Sequence, residues 1–251
     1  MSSVEMSAIA FACVFGGALL GILIGARLPE HHLTPETKDV VRLGMALVGT
    51  IGALVLGFLI TSAKTYHDRQ RDELTQMSAK VVLLGRLLQH YGPEASAARK
   101  SLRGVVGQFL VSTWPGERTE NGQILPETAR VEDLYDQVEG LGPKDDRQRL
   151  MQLQASGLLL SLGEVRWLMI EENSIRVNSV VFLVITFWMI CIFVSWGMYS
   201  PRNATALTAL FMTALSVCVA IFLIGELLTP YSGLLRLSSA PLRLAYATLM
   251  Q

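Results

Sequence analysis

Between Pro35 and Pro93 the chain has no proline, and this uninterrupted stretch carries two kinds of helix in succession. Thr34-Pro35-Glu36 is a start signal: a hydroxyl to cap free backbone N–H groups, a proline at the first helical position and a carboxylate at the positive dipole end. Leu43–Ala63 then runs for 21 residues without a charge, enough to cross a hydrocarbon core about 30 Å thick. After Lys64 the composition becomes charged, and Leu74, Met77, Val81, Leu84, Leu88 and Tyr91 recur at steps of three and four. That spacing is a coiled-coil-like seam. A continuous Pro35–Tyr91 helix would be about 85 Å long at 1.5 Å per residue, so its second half is expected to stand clear of the bilayer.

The rest of the chain fits this frame. Of 251 residues 51% are hydrophobic and only 17% charged, with a mean hydropathy of +0.41, too apolar for an ordinary soluble domain. The excess falls in four runs, Met6–Ala26, Leu43–Ala63, Asn178–Tyr199 and Ala204–Leu228, each long enough to span. The expected fold is all-α and polytopic, with four transmembrane helices, of which the long second and third extend into a soluble helical bundle. Residues 1–63 carry transmembrane helices 1 and 2, 64–177 the bundle, 178–228 helices 3 and 4, and 229–251 an amphipathic C-terminal tail. Within the bundle the pattern predicts helices over Pro93–Thr113, about Glu127–Glu139, and from the break at Gly140–Pro143 onward through Met151, Ala155, Leu158, Leu162, Val165 and Met169.

Net charge is zero, and residues 64–177 hold 15 Lys+Arg against 16 Asp+Glu, so no basic face offers itself to nucleic acid. The first apolar run has no Lys or Arg before it and is read as a retained span. Cys13, Cys191 and Cys218 fall inside apolar runs without CxxC spacing, which points to buried small hydrophobes. His31-His32 has no third ligand nearby and is read as part of a solvated turn. No phosphate loop, HExxH or nucleophile elbow occurs, so no enzyme activity, metal site or cofactor is expected.

The residues singled out lie on the spans and their ends. Gly17, Gly21 and Gly25 follow one another at steps of four, a stripe that lets another backbone approach closely; helix packing is the simpler reading and a permeation path the sharper one. On the second span Thr50, Ala53, Gly57 and Thr61 form a small, hydroxyl-bearing stripe opposite bulky Leu47, Ile51, Leu54, Val55 and Phe58. It either packs against a helix or lines a pore. Lys64 extends the small stripe, and Arg176 and Asn178 stand at the entry to span three, a polar ring at a pore mouth or a solvated helix end. Glu226 near the end of span four costs several kcal/mol unless paired or hydrated. Pro230 ends its helix and Gly233 permits the chain to reverse, so the tail is expected to fold back beside Glu226, near Lys64, Arg69 and Arg176. Beyond Pro241, Leu242, Ala245, Tyr246 and Leu249 share one helix face.

Leu56-Gly57-Phe58-Leu59, Ala63 and Arg69–Arg71, together with Ile224-Gly225-Glu226-Leu227, Thr229-Pro230-Tyr231-Ser232-Gly233 and Ser239-Ala240-Pro241, resemble a bacterial membrane family described as bestrophin-like. The stretch Glu73–Ala79 departs from the glutamate- and alanine-rich run that the family leads one to expect. True bestrophins are pentameric anion channels with four spans and large cytosolic helical extensions. The resemblance therefore implies a homo-oligomeric ion channel of the inner membrane, anion-conducting by analogy. Its partners would be further copies of itself (a tetramer or pentamer), the lipid bilayer and small inorganic ions. The alternative is a non-conducting, membrane-anchored interaction or sensor module whose Leu74–Tyr91 seam binds a partner. Eight basic residues near span ends on the bundle side (Lys64, Arg69, Arg71, Lys80, Arg166, Arg176, Arg236 and Arg243) against four on the other (Arg27, Lys38, Arg42 and Arg202) place both termini and the bundle in the cytoplasm.

Overall fold

The computed structural model describes residues 3–29, 34–114, 130–174 and 179–250, which form helices and connecting turns without a strand. In chain order the helices are α1 (Ser3–Arg27), α2 (Pro35–Tyr91), α3 (Ser96–Thr113, preceded by a 3-10 turn at Pro93–Ala95), α4 (Val131–Glu139), α5 (Asp146–Ser174), α6 (Ser179–Met198), α7 (Ala204–Leu227) and α8 (Ala240–Leu249). They divide into two compact units, residues 1–67 with 175–236 and residues 68–174 with 237–251. Helix α2 is one unbroken helix of 57 residues that contributes to both.

The start of α2 follows the sequence signal, with Thr34 Oγ accepting the Thr37 N–H at 3.3 Å. In the first unit α1, α2 and α7 are long and apolar enough to cross a membrane, while the apolar part of α6, Phe182–Met198, is shorter. Residues 175–178, where α5 was expected to continue into the third span, lie outside the described residues. Helix α1 packs on both α6 and α7 around Val14, Ala18, Ile185, Met189, Phe193, Leu210 and Ala214. Phe11, Phe15 and Phe211 join this contact, the Phe211 ring meeting the other two edge-on at 5.5 Å. Asn203 caps α7 by accepting the Ala206 N–H at 2.8 Å, which closes the short α6–α7 connection.

In the second unit the Leu74, Met77, Val81, Leu84, Leu88 and Tyr91 seam is buried throughout, and each of its leucines contributes about 1.5–3 kcal/mol by leaving water. Ala98, Leu102, Val106 and Leu110 of α3 and Leu134 and Val138 of α4 complete the apolar interior. Two glutamines one turn apart on α5 satisfy helix ends that would otherwise hold orphan carbonyls. The Gln148 amide donates to the Tyr91 carbonyl that ends α2, and the Gln152 amide reaches the carbonyls of Val138, Glu139 and Leu141 at the end of α4. The tail is divided between the units: its part from Leu237 onward is tied to α3 by the Trp114 indole N–H, which donates to the Leu237 carbonyl at 3.0 Å, and α8 packs on α3. Leu242, Ala245 and Leu249 are buried and Tyr246 half-buried, so this face lies on the bundle.

Candidate functional site

The last turn of α7 is organised by one carboxylate. Glu226 is 2% exposed, and its Oε2 accepts the backbone N–H groups of Leu234 at 2.5 Å and Leu235 at 3.1 Å. The chain must therefore reverse within a few residues. It does so because Pro230, itself fully buried, cannot continue the helix, and because Gly233 adopts φ +86°. A side chain at Gly233 would also meet the Glu226 carboxyl, whose Oε1 would lie 2.7 Å from the added carbon, so the glycine is required both for its backbone angle and for the close approach. Thr229 finishes the cap, its N–H donating to the Glu226 carbonyl at 3.2 Å and its hydroxyl to the Gly225 carbonyl at 3.1 Å. The same turn is fastened to α2: His67 Nε2 lies 3.1 Å from the Leu235 carbonyl oxygen, an acceptor, so the ring proton sits on Nε2. The start of α1 closes the other side, with Ser3 and Met6 against Gly225.

Proline and glycine announced the reversal in the sequence, but nothing local pointed to the Leu234 and Leu235 amides as the partners of Glu226, or to His67. Lys64 is exposed, and Arg176 and Asn178 lie outside the described residues, as do His31 and His32.

The glycine stripe of α1 meets α6 of the same chain. Gly17 faces Ile190 and Val194, and any side chain at Gly21 or Gly25 would overlap the carbonyl oxygens of Val194 and Met198. Gly197 of α6 answers with the same fit against Ala18. This stripe is filled from within the chain.

The apolar span of α2 behaves differently. It touches the core through Met45, Val48, Val55, Leu56 and Leu59 and through Gly52, which faces the Met189 methyl. Thr50, Ala53, Gly57 and Thr61 are exposed, and so are Leu47, Ile51, Leu54 and Phe58. Of the bulky stripe only Val55 turns inward, on a face it shares with Val48, Gly52 and Leu59. The Thr50 and Thr61 hydroxyls donate to the carbonyls of Ala46 and Gly57, one turn back. Among the described residues no group of His, Cys, Asp or Glu is placed to hold a metal ion. Cys13 is exposed, Cys191 half-buried and Cys218 buried, all unpaired.

Long apolar helices packed through small residues define an integral membrane protein of the all-α class. The chain belongs to the bestrophin-like domain family, whose model matches residues 12–242. No curated protein and no solved structure matched it.

Proposed function

We propose that the chain is one subunit of a homo-oligomeric ion channel of the bacterial inner membrane, with four spans per subunit. Bundle and termini lie on the cytoplasmic side, and α2 lines the path through Thr50, Ala53, Gly57 and Thr61. The observation that carries this reading is the exposure of α2: its charge-free span presents both a small, hydroxylated stripe and a bulky one outside the subunit's own core. A ring of four or five copies would use both, the bulky residues meeting lipid or a neighbour and the small ones leaving an axial opening. Anion conduction rests on the family likeness. The hydroxyl protons of Thr50 and Thr61 are engaged by their own helix, so an anion would draw these hydroxyls outward. The alternative, a non-conducting module that recruits a partner through the Leu74–Tyr91 seam, has lost its surface, since that seam is filled from within the chain.

The test is the particle symmetry of protein purified in mild detergent, with ion flux into liposomes. A symmetric ring with chloride flux is expected. A monodisperse monomer both in detergent and after crosslinking in native membranes would overturn the proposal.

A further inference from the structure

The second unit holds a polar cavity of about 180 Å³ where α2, α3 and α8 meet. Its lining brings together Arg86, Gln89 and Arg99, with Thr248 on the α8 side, and contains no carboxylate; Arg86 and Gln89 are exposed and Arg99 is half-buried. Among the described residues neither Arg86, Arg99 nor the Gln89 side chain makes a hydrogen bond or ion pair. Two arginines lining one recess without a carboxylate leave a local positive potential there, which favours a negatively charged ligand. The recess is also built into the packing. Leu249 of α8 occupies the space that a side chain at Gly85 of α2 would need. One turn beyond Arg99, Arg103 directs Nη1 at the Met250 sulfur, 3.9 Å away, while its Nε is buried without a hydrogen-bond partner.

We propose that this cavity binds a phosphate-bearing ligand. The planar guanidinium fork matches the spacing of phosphate oxygens and makes paired, charge-assisted hydrogen bonds with them. A phosphate monoester carries close to two negative charges at neutral pH, which balances Arg86 and Arg99 together, whereas chloride or a single carboxylate balances one. The volume admits a phosphoryl group with several waters or a small organic residue, a water's share of liquid being about 30 Å³. The Thr248 hydroxyl already donates to the Leu244 carbonyl at 2.8 Å, so the donors to the ligand are the two arginines and Gln89, and Thr248 and Leu249 form the wall. A ligand seated there bridges α2 and α3 beneath α8. It binds only the bundle with α8 docked and therefore stabilises that docking by mass action. The proposal does not rest on ion conduction.

The experiment uses the full-length protein in detergent, titrated with inorganic phosphate and with glycerol phosphate at constant ionic strength set by chloride. A parallel arm uses lipid nanodiscs with and without phosphatidic acid, a phosphate monoester lipid. The melting temperature and the backbone hydrogen exchange of Ala240–Leu249 are read. A saturable rise in melting temperature and several-fold slower exchange in α8 are expected, both lost in the Arg86→Gln/Arg99→Gln double variant and retained in Arg149→Gln, a control on α5. A response to phosphatidic acid alone would identify a lipid headgroup as the source of the phosphate, and a response to the soluble anions a free metabolite. Arg99→Lys keeps the charge and loses the fork, and is expected to weaken binding about tenfold. Absence of a saturable response in every arm, or an equal response from wild type and the double variant, would overturn the proposal.

Discussion

A carboxylate leaves water only where hydrogen bonds replace its hydration, and Glu226 obtains them from amides eight and nine residues further on. Glu226→Ala strands both N–H groups and opens the turn, at a cost of about 3–5 kcal/mol. Glu226→Gln keeps an acceptor without its charge and costs about half of that, since charge-assisted bonds are roughly twice as strong as neutral ones. Thermal melting of the two variants checks the order, and wild-type melting in both would show that the carboxylate is not structural. A second residue-scale expectation concerns Glu94 and Lys144, which form an exposed ion pair. The hydrogen bond from Lys144 holds the Glu94 carboxyl below the usual carboxylate range, and the same bond raises the Lys144 ammonium. The contribution of Glu94 is complete above the ordinary carboxyl range and lost as pH falls through the lowered value. That of Lys144 is complete below the ordinary lysine range and lost as pH rises through the raised one. In Lys144→Met the Glu94 carboxyl should titrate higher than in the wild type, with its own backbone hydrogen bond still lowering it, as read by carbon-13 NMR of labelled glutamate; an unmoved titration would remove the pair as the cause.

At the scale of elements, helix association in lipid depends on close fit because apolar burial gives little there. The α1–α6 contact displays this at Gly21, where an added methyl group overlaps the Val194 carbonyl, whereas Gly16, five residues earlier on α1, has open space around it. Gly21→Ala should destabilise by about 1–3 kcal/mol or more through overpacking. Gly16→Ala should be neutral or stabilise by up to about 1 kcal/mol through helix propensity. Melting of the pair in one detergent decides the matter, and equal behaviour would mean that the contact relaxes freely. The Leu74–Tyr91 seam lies at the other extreme, where ordinary burial from water holds the bundle and the three-and-four spacing alone locates it.

The whole-molecule question is what covers the span of α2. A side chain added at Gly57 meets nothing within the chain, so Gly57→Val should leave the fold intact and, if the proposed ring forms, act through neighbouring copies by lowering oligomer yield or ion flux. In a background with Cys13, Cys191 and Cys218 replaced, single cysteines at Thr50, Gly57 and Thr61 should react with soluble thiol reagents. Cysteines at Leu54 and Phe58, exposed on the chain's own surface, should be protected by lipid or, in the proposed ring, by a neighbouring copy. Equal protection of both stripes would return α2 to a packing role.

Helices, their caps and their buried faces were legible in the sequence because each depends on residues within a few turns: the Thr34-Pro35 start, the seam at Leu74–Tyr91 and the Pro230–Gly233 reversal all stand where spacing and backbone chemistry require. The family segment from Glu226 to Gly233 was equally visible, although its reason was not. Only the tertiary structure decided that the Gly21–Gly25 stripe is filled by α6 and that, of its two obvious stripes, α2 turns only Val55 inward. It also decided that Glu226 answers to backbone amides and that His67 fastens the turn from 168 residues away. Periodicity tells which face of a helix is small or apolar, but a small face fits any close neighbour and a buried carboxylate accepts any donor, so the partner is chosen by packing in three dimensions.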